Sequence, residues 1–291
     1  MHISLYVHQH SEDFIANSAY RIMSIQSEVK LLSDGYFTLD PGAIFGIVPR
    51  PVWSKAFTAD LNFRIKLALN IPLIINGSYS VLLDSGIGDL EDEKFKKIYE
   101  VERGEDLINQ IQTFVNPDDL NLIVHSHLHF DHMGNSFNSD GKPIFRRAKL
   151  IAQKDEVSGL RHPNEITRSS YRKYPKTPGG FRAIDGSVRI KDGLQVVKSG
   201  GHTRGHQVII YRTGMEELIY FGDLVPTSFH LRLPYITAID GFPMDTLYWK
   251  KKLISKAIRD HALCIFNHDT QVKAAYLSGE TGNPKIERVD L

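Results

Sequence analysis

The chain has one cysteine, Cys264, in 291 residues. No disulfide can close within it, so the fold must rest on buried apolar surface, and a reducing, cytoplasmic setting is expected. An excess of either charge is also missing. Lys and Arg number 35 against 34 Asp and Glu, a net +1, which excludes the bulk electrostatic footprint of a nucleic-acid binder and leaves room only for a local basic patch. Nor does any apolar run approach the length of a membrane span. Met1 to His10 lacks both the basic start and the sustained apolar stretch of an export signal, so neither secretion nor insertion is expected. Low-complexity segments, Pro/Ser linkers and charge blocks are absent as well. One domain over residues 1–291 is therefore expected, with an N-terminal extension over about residues 1–60.

What is present is 42% apolar residues and 10% aromatics, enough material for a substantial core. Its distribution repeats. Ile71 to Asn76 and Tyr79 to Asp84 are apolar, β-branched runs around Asn76-Gly77-Ser78, the chemistry of a tight hairpin turn. A helical stretch follows near Leu107 to Phe114, and the strand-like run Leu120 to Val124 leads into His125-Ser-His-Leu-His. In the second half, Val208 to Tyr211 and Leu218 to Phe221 read as strands around Thr213-Gly214. Thr246 to Asp260 then has helical spacing of Trp249, Leu253 and Ala257, with Asp245 as its expected N-cap, and Leu263 to Phe266 enters Asn267-His268-Asp269. In each half a hairpin leading into an aspartate, Asp84 or Asp223, precedes a helix and a strand that delivers histidines. Two similar layers facing each other, with polar groups gathered at one edge, are expected.

Of the thirteen histidines, three fall with an acid inside six residues, as His127-Leu-His129-Phe-Asp131-His132. Imidazole and carboxylate together suit a borderline-soft divalent ion such as zinc, in a site that keeps a position for water. Any one of these residues could be surface decoration on a polar loop. Crowding four of them has no evident benefit without a metal. Further candidates follow other strand ends. Gly201-His202-Thr-Arg-Gly-His206 could be a plain glycine turn, or one that pushes an imidazole inward. Asp223 after Phe221-Gly222, and His268 after Asn267, could each be a turn residue or a ligand.

In this order the segments resemble the metallo-β-lactamase superfamily: His-x-His-x-Asp-His as His127 to His132, Gly-His-Thr-x-Gly-His as Gly201 to His206, Gly-Asp as Gly222-Asp223, a final His-Asp as His268-Asp269, and an early Asp-Ser-Gly at Asp84. The resemblance implies a four-layer αββα sandwich of α/β class. It also implies one metal on His127, His129 and His202, a second on Asp131, His132 and His268, and Asp223 bridging the two. Asp84 would orient the loop or the ligands by hydrogen bonds, and His206 would pack or bond behind the site. Ala43 to Pro49, Ala68 to Asn70, Ser126 to His132 and Gly222 to Thr227 look like the branch holding N-acyl homoserine lactonases and methyl parathion hydrolase. Arg204 stands where many relatives carry proline. Pro226 stands where short lactonases carry a tyrosine donor.

The chemistry so implied is hydrolysis by two divalent ions, zinc ahead of manganese or iron. A hydroxide bridging them would attack an ester or lactone carbonyl, such as that of a quorum-sensing lactone, with Asp131 or Asp223 taking the proton. A phosphotriester hydrolase of the same fold and an iron redox protein are the alternatives, and a metal-binding sensor is a third. The expected partner is a small molecule, with no nucleic acid and no membrane; a homodimer is allowed. Phe45 to Trp53 and Phe229 to Ile236 read either as packing or as a substrate wall. In the wall reading, Phe229, Leu231, Leu233 and Tyr235 supply apolar contacts and Tyr235 a hydrogen-bond donor.

Overall fold

The computed structural model of the chain describes residues 27–89 and 93–291. The start-of-chain reading on Met1 to His10 lies outside them, as do residues 1–26 of the expected extension. Among the described residues, thirteen strands form two sheets. The first has the order β1 (Ser27–Leu39), β2 (Ile65–Asn76), β3 (Tyr79–Leu83), β4 (Leu122–Val124), β5 (Lys149–Gln153) and β6 (Phe181–Ile184). Numbered along the chain, the second holds β7 (Val188–Lys191), β8 (Leu194–Lys198), β9 (Gln207–Thr213), β10 (Glu216–Tyr220), β11 (Leu263–Ile265), β12 (Ala274–Glu280) and β13 (Asn283–Val289), hydrogen-bonded in that order.

Strand alternation builds three cores from these runs. Val81 and Leu83 of β3 and Val124 of β4 point to the space between the sheets, where they meet Leu218 and Tyr220 of β10 and Ile265 of β11. The intervening Leu82 and Ile123 point outward, against Leu107 and Ile111 of the helix Leu107–Gln112 and Val157 and Leu160 of the helix Lys154–Arg161. On the far side Ile219 and Cys264 point out against Leu253, Ile254 and Ala257 of the helix Pro243–Arg259. Both faces of these strands are covered, which is why they read as continuous apolar runs and not as alternating ones. The result is the expected four-layer αββα sandwich.

The hairpin between β2 and β3 turns on Gly77-Ser78, with Asn76 paired to Tyr79. The last long helix begins earlier than its periodicity indicates. Phe242 occupies the N-cap position, Pro243 the first helical position, and Asp245 lies in the first turn instead of capping it. Proline fits there because its fixed φ is helical and its missing N–H would be unpaired in any case. Residues 27–39, inside the expected extension, form β1 and pair with β2 from Ser27 to Leu39.

Candidate metal centre

The two central strand pairs, β3 with β4 and β10 with β11, are parallel. Parallel neighbours end at the same edge of a sheet, so the carboxyl ends of these four strands deliver Asp84, the His127–His132 segment, Asp223 and His268 side by side. His202 joins them from the turn between β8 and β9. Glycine shapes that turn: Gly201 has φ +87° and an added Cβ would come within 2.5 Å of Thr246 Oγ1, so no other residue fits without displacing the helix behind it. Asp84 itself adopts φ +60°, a left-handed conformation that aspartate tolerates better than most residues.

Three groups form from these side chains, each with ligand atoms within 4.8 Å of one another: His127, His129 and His202; His127, His132 and Asp223; Asp131, His132 and His268. All seven residues of the sequence-derived set are present in them. Asp223 lies between the outer two. Its Oδ2 is 3.3 Å from His202 Nε2 and 3.9 Å from His127 Nε2, while its Oδ1 is 3.3 Å from His132 Nε2 and 3.2 Å from His268 Nε2. His129 Nδ1 is 3.1 Å from His202 Nε2, and Asp131 Oδ2 is 3.4 Å from His268 Nε2.

The outward nitrogens of three of these rings are fixed by partners. His132 Nδ1 meets Asp84 Oδ2 at 2.7 Å, His202 Nδ1 meets Asp240 Oδ1 at 2.9 Å, and His268 Nδ1 meets the Ala68 carbonyl at 2.8 Å. Such bonds place the proton on Nδ1 and leave the Nε2 lone pair facing the site. The Nε2 atoms of His127 and His132 are buried without a hydrogen-bond partner. An unpaired buried nitrogen is costly, and neutral imidazoles with ionised carboxylates are the donors that a divalent ion needs. The residues therefore fit a metal.

Electrostatics points the same way. Burial, then the neighbouring His132, holds the His127 pKa well below the ordinary range. For His132 burial opposes the charged form, but Asp223, Asp131 and Asp84 overcome it and raise its pKa well above the usual value. Three buried acids around one ring call for positive charge at this spot. Burial also opposes charge on Asp223, yet His132, His268 and His202 keep it well below the carboxylate range.

The Metallo-beta-lactamase superfamily signature matches residues 67–268. The chain belongs to the metallo-beta-lactamase superfamily. Within it, the chain is 23% identical over 244 residues to an N-acyl homoserine lactonase of Bacillus sp, covering 80% of this chain and 86% of that one. A solved structure described as a probable metal-dependent hydrolase from Staphylococcus aureus matches with a TM-score of 0.85 and 27% identity, over 92% of this chain and 99% of the other. A dizinc quorum-quenching lactonase with a product bound matches at TM-score 0.73 and 19% identity, over 91% and 95% of the two chains, and so shares the fold. Family and relatives together support a metal-binding hydrolase.

The superfamily motifs did not reveal all the residues behind the site. Asp240 holds His202 and accepts from Thr237 Oγ1 and Thr246 Oγ1, both at 2.6 Å. Asn267 Nδ2 donates to Asp223 Oδ1 at 2.7 Å. Glu156, fully buried in the helix Lys154–Arg161, accepts from Leu128 N at 3.0 Å, Thr203 Oγ1 at 2.5 Å and Gly205 N at 3.0 Å, and so ties two ligand loops together. Only a polar residue on an otherwise buried helix face could have signalled it. His206 bonds behind the site as expected: its Nε2 accepts from Asp223 N at 3.1 Å and its Nδ1 meets Ser199 Oγ at 2.7 Å. Burial, then His202, pushes its pKa down to about 3.

The substrate-wall reading of the segment after Asp223 needs correction. Leu231 is buried in the outer core with Leu253 and Phe266. Phe229 packs on Phe45 at 5.4 Å, and Tyr235 on Phe229 at 4.8 Å. The buried Lys250 ammonium donates to the carbonyls of Arg232, Leu233 and Tyr235, at 2.9, 3.3 and 2.6 Å. A run that alternates on paper is coiled here into a 3-10 turn, Ser228–Leu231, which breaks the alternation.

Proposed function

We propose that the chain is a dinuclear metal-dependent hydrolase that opens an ester or lactone carbonyl, with residues 1–291 as one catalytic domain. The observation that carries this reading is the division of the Asp223 carboxylate. Oδ2 faces His127 and His202, and Oδ1 faces His132 and His268. One carboxylate with each oxygen turned to a different histidine pair is the arrangement of a bridging ligand. We assign His127, His129 and His202 to one ion, Asp131, His132 and His268 to the other, and zinc as the ion because nitrogen and oxygen donors in a buried site suit it. Such a centre, when loaded, supplies an acidified water and a polarised substrate oxygen.

The chain's own groups do the rest. Asp131 keeps 11% side-chain exposure against 8% for Asp223 and 2% for Asp84, so its carboxylate is the one best placed to accept a proton from the attacking water and release it to solvent. Pro226 offers no N–H, and its carbonyl accepts from His268 N at 2.9 Å. The Tyr171 hydroxyl lies against Gly159, where an added Cβ would be 2.6 Å away, so it too is turned from the centre. Orientation of the substrate therefore falls to Phe130, which stands between His129 and Asp131 and lines an adjoining cavity with Phe95 and Tyr99, while the buried Phe37, whose ring is 5.4 Å from that of His268, packs behind the site. A single-ion reading would leave the group Asp131, His132 and His268 without work.

Elemental analysis of purified protein should find about two ions per chain. A panel of a lactone, an aryl ester and a phosphotriester should be hydrolysed with the lactone or ester fastest. A content fixed at one ion in excess metal overturns the dinuclear assignment, and fastest turnover of the phosphotriester overturns the carbonyl assignment.

A further inference from the structure

The near-neutral balance of the chain hides a local excess. Residues 161–182 carry Arg161, Arg168, Arg172, Lys173, Lys176 and Arg182 against the single acid Glu165. Three of these, Arg168, Arg172 and Lys173, line a cavity of about 580 Å³ floored by Phe95, Tyr99 and Phe130. Among the described residues the lining contains no acid. Its size suits a small-molecule arm.

The cavity adjoins the metal-ligating segment. Phe130 stands between His129 and Asp131 in the chain, and the Tyr171 ring, which also lines the cavity, is 5.3 Å from that of His129. Phe95 and Tyr99 pack on Phe130 at 4.8 and 5.0 Å, edge-on and tilted, giving an aromatic flank. An arm that leaves the metal centre along this flank meets the basic rim at its far end.

The rim has a built donor. Arg172 Nη2 donates to the Asp89 carbonyl at 2.7 Å and the guanidinium lies 5.2 Å from the Tyr174 ring centre, which fixes the plane of the group. Its Nη1 is buried and has no hydrogen-bond partner. The Arg172 side chain lines the cavity, so a carboxylate at the rim would meet a cation whose plane is already fixed. Among the described residues Arg168 pairs with Glu165 at 3.6 Å, with side-chain exposures of 60% and 87%, a pairing too loose and wet to neutralise it.

We propose that this cavity receives a substrate arm that is apolar along its length and anionic at its end, so that the enzyme prefers carboxylate-terminated esters or lactones to neutral ones of equal length. The substrate half of this statement rests on the carbonyl-hydrolase reading above. Phe130, Phe95 and Tyr99 take the hydrocarbon, and Arg172, with Arg168 and Lys173, takes the carboxylate.

The test uses metal-loaded protein and two acylated lactones matched in arm length, one ending in methyl and the other in carboxylate, together with their ring-opened products as binding probes in calorimetry. The carboxylate arm should be favoured by about tenfold or more in kcat/KM and in product affinity, and added salt should shrink the preference. Arg168→Gln/Lys173→Gln, which alters only exposed side chains, should bring the ratio down severalfold, and Arg172→Gln should bring it close to one. Equal or undetectable binding of both products, a preference for the methyl arm, or a ratio untouched by the substitutions overturns the proposal. Hydrolysis of neither lactone, with the product preference intact and lost in the variants, overturns the carbonyl reading and upholds the cavity's selectivity. Tight binding of a single-stranded oligonucleotide, lost in the same variants with no preference between products, assigns the rim to a polyanion and overturns it.

Discussion

Asp84 Oδ2 lies 2.7 Å from His132 Nδ1 and accepts the Tyr220 hydroxyl at 2.7 Å, while Asp84 Oδ1 accepts Ser126 N at 2.6 Å. One buried carboxylate thereby joins β3, the histidine segment and β10. Asp84→Asn would turn an amide N–H₂ or a weaker carbonyl toward an imidazole that needs a strong acceptor. We expect zinc affinity, read by chelator competition, to fall about 10- to 100-fold, with circular dichroism still showing a folded chain. Unchanged affinity would show that His132 is oriented by packing alone.

Asp223 and Asp269 each follow a strand, yet the structure gives them different work. Asp269 Oδ1 accepts from the backbone of Gln271 and Val272 at 2.8 and 2.7 Å, and its Oδ2 from Ser228 N and Oγ at 2.8 and 2.6 Å. Asp223→Asn should lower kcat by two or more orders of magnitude and reduce metal content. Asp269→Asn should instead cost about 1–2 kcal/mol of stability in urea melts and spare the metal. Equal metal loss in both would remove the special role of Asp223.

The seven candidate ligands were legible in the sequence because each sits in a short motif after a strand, and the parallel pairing of β3 with β4 and β10 with β11 brings those ends together. The paired hairpin–helix–strand pattern was legible for the same reason. Glu156 and Asp240 were not, since their partners are distant: Leu128 and Gly205 stand 28 and 49 residues from Glu156, and His202 stands 38 from Asp240. The basic cavity was hidden by the whole-chain charge balance. The alternation in Pro226 to Ile236 misled because a 3-10 turn does not keep the two-residue period of a strand.

Glu156 offers a sharper test of a residue that no motif contains. Its Oε2 takes the Leu128 N–H and its Oε1 takes Thr203 Oγ1 and Gly205 N. In Glu156→Gln one of these positions becomes an N–H₂ facing a donor. The variant should lose about 1–3 kcal/mol of stability and, because both the His127–His129 loop and the His202 loop are released, should bind zinc about tenfold more weakly. A stability loss with zinc affinity intact would make Glu156 a purely structural anchor.

The pH dependence of stability should carry a measurable share from His230, which is not one of the candidate metal ligands. Its Nε2 lies 3.0 Å from the Ile44 carbonyl and so carries the proton; Nδ1 then accepts from Thr227 Oγ1 at 2.8 Å. The ring is buried, and burial pushes its pKa from 6.5 down to about 4 against the weaker raising effect of the Ile44 bond. The unfolded chain therefore binds more protons than the folded one between pH 4 and pH 6.5. Stability from this group is full above that window and is lost as pH falls through it, by about 2 kcal/mol between pH 7 and pH 5. His230→Gln cannot titrate, and its amide can still donate to Ile44. It should start less stable at pH 7 but lose less on acidification, so the two urea-derived stabilities should converge toward pH 5. Any metal release at low pH affects both proteins alike, so parallel curves for wild type and variant would mean that His230 binds its proton equally well in the folded and the unfolded chain.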